Sequence, residues 1–230
     1  MSASVVVAMD GTSGSGKSST ARGVARRLGL RYLDTGAMYR AMTWWMLQHD
    51  VDVDDAAAVA AHVNEPVLES GTDPAHPTIT LDGLDVAGPI RTPEVTAAVS
   101  AVSAVPEVRA RLVLEQRAII GDGDIVVEGR DIGSVVAPNA PVKLYLTADP
   151  DARAERRAAE LAKDTSVEDT HLDLLRRDKA DSGRAASPLT RAADAHHIDT
   201  TAYTLDEVVE QVVLLVEQAR KAHADEPSGG

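Results

Sequence analysis

Gly11-Thr12-Ser13-Gly14-Ser15-Gly16-Lys17-Ser18 follows the apolar run Val5-Val6-Val7-Ala8-Met9 and leads into the helix-like segment Ser18 to Leu28. The stretch fills the phosphate-loop pattern G-x-x-x-x-G-K-[ST] in the strand–loop–helix context that the pattern requires. Its glycines allow a sharp turn with N–H groups pointing inward. The next helix adds the positive end of its dipole, so an anionic phosphate meets donors and field together. Lys17 is expected to neutralise β/γ-phosphate charge and Ser18 to offer its hydroxyl to Mg²⁺. A chance match within a Gly/Ser linker is disfavoured by the buried-type strand on one side and the helix on the other. Gly11, Thr12, Ser13, Gly14, Ser15, Gly16, Lys17, Ser18 and Ser19 are therefore the candidate nucleotide-binding positions.

Outward from this loop the chain reads as α/β. Ser4 to Met9 is the apolar run of a central parallel strand covered on both faces. Ala21, Val24, Ala25 and Leu28 recur at helical spacing, and Gly29 closes that helix. Thr35 stands where it can cap a second helix, Ala37 to His49, which carries Trp44 and Trp45; one ring is expected in the core and the other half-buried. Asp54 to Asn64 is an alanine-rich helix. Val67 to Ser70, Thr78 to Leu81 and Leu84 to Ala87 then read as short antiparallel strands separated by Gly71-Thr72-Asp73-Pro74 and Asp82-Gly83. Helices begin at Thr92-Pro93-Glu94 and at Pro106-Glu107, the second running to Ile120. Ile125 to Val127 and Val142 to Leu146 are further buried-type strands, and His196 to Thr200 is a last short one. Charged helices are read over Asp151 to Lys163 and Val167 to Arg184, with an aperiodic and movable link, Ala162 to Val167, between them. Leu205 to Ala219 is an amphipathic closing helix, and the tail 223–230 is expected to be disordered. The domain reading is a core of residues 1–64 and 106–222 with a lid at about 151–188, and an inserted subdomain at 65–105.

Composition narrows the function classes. The 230 residues can bury a sizeable core, but phenylalanine is absent, so Val, Ala and Leu fill it. With no cysteine there are no disulfides, thiolate zinc sites or cysteine nucleophiles; this suits a reducing cytosol, and a cytoplasmic location is expected. The N-terminus passes directly into a strand, and no apolar run approaches the roughly 18 residues of a membrane span, so neither signal peptide nor anchor is expected. A formal charge of −13 repels nucleic-acid backbone. Small anions remain suitable ligands, because a few convergent arginines reverse the potential within one cleft.

Three further segments carry chemistry. Asp34-Thr35-Gly36-Ala37-Met38-Tyr39-Arg40 gathers a hydroxyl, a helix N-terminus, a phenol and a guanidinium within two turns, as a second anion beside an aromatic or sugar group requires. Glu128-Gly129-Arg130-Asp131 lies at the C-terminal end of a parallel strand, where open α/β sheets bind ligands. There Gly129 allows close backbone approach, Arg130 can fork onto a phosphate, Asp131 can accept from a base or hold an arginine, and Glu128 can position Mg²⁺-bound water. Arg177 and Arg184 are seven residues apart, on roughly one helix face, with Asp181 between them. The competing readings are a capped helix with a surface arginine, a structural Arg–Asp pair and a solvated charged helix; each weakens once the three segments are taken together.

These motifs, with Asp85-Val86 and Ile90-Arg91-Thr92-Pro93-Glu94-Val95, Ile132-Gly133 and the stretch from Asp181 to Pro188, resemble the bacterial cytidylate kinases over residues 5 to about 215. The resemblance implies a phosphate-loop NTPase fold with a five-stranded parallel sheet flanked by helices, a small inserted antiparallel β subdomain, a short helical lid and a monomer. It implies ATP and Mg²⁺ as cofactors and CMP or dCMP as acceptor, with no nucleic-acid or membrane partner. Thr35, Tyr39, Arg40, Arg109, Arg130, Asp131, Asp181 and Arg184 match the family's acceptor contacts, and Arg177 matches a lid arginine. Ala180 and Ser182 stand where some relatives carry further lid arginines.

A monophosphate acceptor with a second pKa near 6 is largely a dianion at neutral pH, so catalysis is expected to be electrostatic, without a His–Asp base. Lys17, Arg177 and Arg184 are assigned to the transferring group. Thr35, Arg40, Arg109 and Arg130 go to the acceptor phosphate and its surroundings, Asp131 and Asp181 to cytosine and sugar, and Ser18 and Glu128 to the metal. The alternatives are a kinase for another small acceptor, such as a different nucleotide or a shikimate- or gluconate-like hydroxyl compound, and a nucleotide-dependent switch, which the lack of an Asn-Lys-x-Asp motif disfavours.

Overall fold

The computed structural model describes residues 4–160, 167–184 and 187–225. Five parallel strands form the main sheet: β1 (Val6–Gly11), β2 (Arg31–Asp34), β6 (Ile125–Glu128), β7 (Val142–Thr147) and β8 (His196–Asp199), in the order β2-β6-β1-β7-β8. The apolar run before the phosphate loop is thus the middle strand. It pairs with β6 through Val6 and Ile125 and with β7 through Val7 and Val142. The chain crosses from β1 to β2 on one side and later adds β7 on the other, so the connections diverge at β1. Ligand crevices open at such a point, beyond the strands' C-terminal ends. Register brings those ends together, with Met9 and Asp34 both opposite Glu128.

Two apolar layers sandwich the sheet. On one face α1 (Lys17–Leu28) and α8 (Leu205–Asp225) pack Val24, Ala25, Val212 and Val216 against Val7, Met9 and Leu144. On the other, α2 (Thr35–Gln48), α4 (Pro93–Ala104) and α5 (Pro106–Ile120) pack Met38, Met42, Val102 and Leu112 against Ala8, Val127 and Ile132. With no phenylalanine available, three methionines of α2 (Met38, Met42 and Met46) are fully buried and adapt their shape to this layer.

The inserted sheet, β3 (Leu68–Ser70), β4 (Ile79–Leu81) and β5 (Leu84–Asp85), is antiparallel, and Ile79, Leu81 and Val86 join the same cluster as α2. The insertion therefore leans on the α2 layer. Before it stands α3 (Ala56–His62), and a 3₁₀ turn at Pro89–Arg91 links it to α4. Trp45 is buried and donates from Nε1 to Asp82 Oδ2 at 3.2 Å, while Trp44 is half-buried, as read from the sequence.

Several details differ from the sequence reading. Asp34, not Thr35, caps α2, accepting from Ala37 N–H at 2.9 Å; Thr35 is already inside the helix, and its hydroxyl donates to the Glu128 carbonyl at 2.7 Å. A π-helical turn at Ile132–Val136 was not foreseen. Strand β5 ends at Asp85, and α7 (Val167–Gly183) stops one residue before Arg184. Helix α8 continues to Asp225, which corrects the expected start of a disordered tail at 223; residues 226–230 lie outside the described residues. The same holds for 161–166, where the movable link was placed, so α6 is described as Pro150–Glu160.

Candidate active site

The phosphate loop joins β1 to α1, and Gly16 makes the entry to the helix at φ 85°, a left-handed conformation suited to glycine. Buried Lys17 turns back over the loop and donates from Nζ to the Thr12 carbonyl at 2.6 Å. Burial first, then repulsion from Arg130, pulls its pKa down to about 7, against the attraction of Glu128, Asp178 and Asp10. Ser18 Oγ donates to Glu128 Oε2 at 2.9 Å, and Tyr32 Oη donates to the other carboxylate oxygen. Burial, reinforced by Asp34, pushes Glu128 up to about 7. Burial thus makes both the loop lysine and the neighbouring carboxylate costly to charge.

Asp10, at the end of β1, was not singled out in the sequence. Its two oxygens accept from Ile132 N–H and Gly133 N–H, both at 2.8 Å, which fixes the segment after Asp131 against the central strand. Burial outweighs those bonds and pushes its pKa up to about 6. Gly129 needs its missing side chain, since a Cβ there would lie 2.6 Å from Ile132 Cδ1 and 2.7 Å from Thr35 Oγ1.

Arg130 reaches across the loop. It donates from Nη1 to the Gly11 carbonyl at 3.0 Å, from Nη2 to Ser13 Oγ at 2.8 Å and from Nε to Asp181 Oδ2 at 2.8 Å. Burial opposes its charge, but Asp181, joined by Asp178 and Glu128, offsets this and raises its pKa. The sequence suggests an acceptor phosphate as the target of this fork; here it fastens the phosphate loop to α7. Asp181 also faces Arg184 Nη1 at 3.6 Å, and Arg184 Nε donates to the Ser187 carbonyl at 2.9 Å. Burial and the nearby Arg109 both lower the Arg184 pKa.

Arg109 and Asp131 form a buried ion pair, and Arg109 Nη1 donates to the Ser103 carbonyl at 3.2 Å. The Arg109 guanidinium lies 5.3 Å from the centre of the Tyr39 ring. Burial holds the Tyr39 phenol up to about 12, although Arg109 pulls the other way. Arg40 Nη1 donates to the Ile90 carbonyl at 3.1 Å and to Thr96 Oγ1 at 3.0 Å, tying α2 to the inserted segment.

Most of these side chains open onto one cleft of about 970 Å³, while Asp10 lies outside its lining. Its lining includes Ser13 to Ser19, Thr35, Tyr39, Arg40, Arg109, Glu128, Arg130, Asp131, Arg177, Asp181 and Arg184. Of the nominated positions, Gly11 and Thr12 stand behind this wall and act through their carbonyls. The lining also includes residues that no motif flagged: Tyr32, Ser103, Arg156, Thr200 and Tyr203. Arg156 donates to Thr200 Oγ1 at 3.0 Å and to its carbonyl at 2.7 Å. Among the described residues no cluster of three or more acidic or histidine side chains is arranged to hold a metal, so a cation here would rely on few protein oxygens.

The chain is 57% identical over 220 residues to the cytidylate kinase of Streptomyces avermitilis, covering 95% of both chains. It is 54% identical over 218 residues to that of Nocardia farcinica, covering 93% of this chain and 94% of the other. A solved structure of an uncharacterized protein from Eubacterium ventriosum superposes with a TM-score of 0.54 at 11% identity, covering 94% of this chain and 99% of that one, which speaks to fold alone. The family model for cytidylate kinase matches residues 7–218, and the chain belongs to the cytidylate kinase family.

Proposed function

We propose that the protein transfers the γ-phosphoryl group of ATP to CMP or dCMP, giving ADP and CDP or dCDP. The observation that carries this reading is the continuity of the cleft. The same cleft is lined by the phosphate loop with its Lys17, by the buried Arg109–Asp131 pair, and by Arg130, Arg177 and Arg184. Two anions that repel each other can be held together there, so positioning and charge neutralisation account for the chemistry.

Lys17 and the loop N–H groups take the donor phosphates. Arg177 and Arg184 approach the transferring group from α7 and the residue that follows it. Burial and a neighbouring guanidinium lower both the Arg184 and the Lys17 pKa, and arriving phosphates would oppose both shifts. Thr35, Tyr39 and Arg40 at the start of α2 frame the acceptor phosphate. Asp131, oriented by Arg109, reads the cytosine amino group, and Asp181 faces the sugar.

Mg²⁺ fits the residues at the loop's end. A serine hydroxyl and a carboxylate oxygen stand 2.9 Å apart, and the buried Glu128 is held in a state that a divalent cation would relieve. Ser18 would ligate it directly and Glu128 would accept from a metal-bound water. When bound, the ion would supply positive charge that neutralises phosphate charge. One chain provides both phosphate sites, which supports action as a monomer. The acidic charge of the molecule favours small anions gathered in this cleft over nucleic acid. Among the described residues no helix is long and apolar enough to cross a membrane.

A coupled assay of diphosphate formation across CMP, dCMP, UMP, AMP and GMP tests the reading. CMP or dCMP should exceed UMP at least tenfold in kcat/KM, because a carboxylate that accepts from the cytosine amino group faces a carbonyl in uracil. Faster turnover of AMP or GMP would overturn the assignment.

A further inference from the structure

Arg153 and Asp178 have no part in the roles assigned so far, yet both contact the phosphate loop, Arg153 buried and Asp178 partly buried. Asp178 on α7 accepts from Ser13 N–H through Oδ1 at 2.8 Å. Arg153 on α6 donates from Nη1 to the Ser13 carbonyl at 2.9 Å, and the same nitrogen pairs with Asp178 Oδ2. Only 5% of the Arg153 side chain and 15% of the Asp178 side chain are exposed.

The amide that Asp178 holds belongs to the peptide unit between Thr12 and Ser13. The carbonyl of that same unit accepts from Lys17 Nζ at 2.6 Å. One peptide plane is therefore fixed from both ends, by Lys17 on its oxygen and by the α7 carboxylate on its nitrogen. A peptide plane is rigid, so the orientation imposed at the N–H sets the direction of the carbonyl that anchors the lysine. Arg153 has a separate task. An uncompensated carboxylate at this place would repel a triphosphate, and the guanidinium cancels it while gripping the next carbonyl.

We propose that Asp178, neutralised by Arg153, is a positioning residue for the donor site: it locks the Thr12–Ser13 peptide from α7 and so sets the loop and the Lys17 ammonium for ATP. The proposal rests on the kinase reading and extends it to two residues that need not touch substrate.

The test combines calorimetric titration of ATP without acceptor and separate KM values for ATP and CMP, on wild type, Asp178→Ala, Asp178→Asn, Arg153→Ala and the double alanine variant. Asp178→Ala should weaken ATP binding about tenfold and move the KM for CMP less than threefold. Asp178→Asn keeps an acceptor for Ser13 N–H and should stay within about threefold of wild type for ATP. Arg153→Ala exposes ATP to an unpaired carboxylate and should be the weakest binder, so removing that carboxylate in the double variant should restore part of the affinity. A residue that only supports the fold would make the double variant worse than either single one. The proposal is overturned if the double variant binds ATP more weakly than Arg153→Ala. It is also overturned if Asn does no better than Ala, or if ATP and CMP affinities fall together. A wild type that binds no ATP at all would instead overturn the kinase reading beneath it.

Discussion

Replacing Arg130 with lysine keeps the charge and removes the fork. In the native site three different nitrogens reach Gly11, Ser13 and Asp181, at 3.0, 2.8 and 2.8 Å. A lysine ammonium is one point at the end of a flexible stem and cannot span these three acceptors. If it keeps one of the bonds, two charge-assisted bonds are lost. At the low end of about 1.5 kcal/mol each, this comes to about 3 kcal/mol, or roughly 150-fold in kcat/KM. Two of the acceptors belong to the donor loop and the third to α7, so the KM for ATP should rise along with that for CMP. Steady-state assays with each substrate varied at saturating concentrations of the other give both values, and a thermal melt separates lost catalysis from lost fold. A kcat/KM within threefold of wild type, a difference of only ~0.6 kcal/mol, would refute the structural role assigned to the fork. A rise confined to CMP would show that Arg130 leaves the loop to grip the acceptor phosphate.

Lys17→Ala should lower turnover by far more than tenfold in the same assay while leaving the far-ultraviolet circular dichroism intact, and turnover within threefold would remove Lys17 from phosphoryl transfer. Asp10 makes a pH-dependent contribution to stability. Its folded pKa of about 6 lies above the ordinary 3.8, so the folded state binds the extra proton and the contribution is lost as pH rises from about 4 to about 6. The stability advantage of wild type over Asp10→Ala in urea unfolding should therefore shrink over that window, by about 3 kcal/mol for a shift of roughly two units, and a growing advantage would contradict it. Gly129→Ala puts a methyl group 2.6 Å from Ile132 and 2.7 Å from the Thr35 hydroxyl. It should lower the melting temperature by several degrees and raise the KM for CMP; an unchanged melt would show that the turn can yield.

The parts of this site that the sequence reveals are those encoded by local constraint. The phosphate loop needs its glycines, lysine and serine at fixed spacing, and the strand before it needs apolar residues on both faces, so β1, the loop and α1 are readable directly. The three strands of the inserted sheet were likewise marked by turn residues at 71–74 and 82–83. The cap of α2 was misplaced by one residue because Asp34 and Thr35 are both good caps; only the pairing of β2 with β6, which ends at Asp34 opposite Glu128, decides between them. Asp10, Tyr32 and Asp178 could not be found locally. Each acts on a partner far along the chain, Asp10 on Gly133, Tyr32 on Glu128 and Asp178 on Ser13, and nothing in their own surroundings marks that contact. For Arg130 the opposite happened: the residue was found, but its partners in the donor loop follow from how α7 and β6 meet, which no motif records.

The most direct measurement is the fate of the label when ATP carrying a radioactive γ-phosphate is mixed with CMP, Mg²⁺ and the purified protein. Transfer inside a cleft that holds both phosphates predicts label in the terminal phosphate of CDP, in step with ADP formation and with little inorganic phosphate released. Label appearing as inorganic phosphate while CMP is left unchanged would contradict the account at its centre.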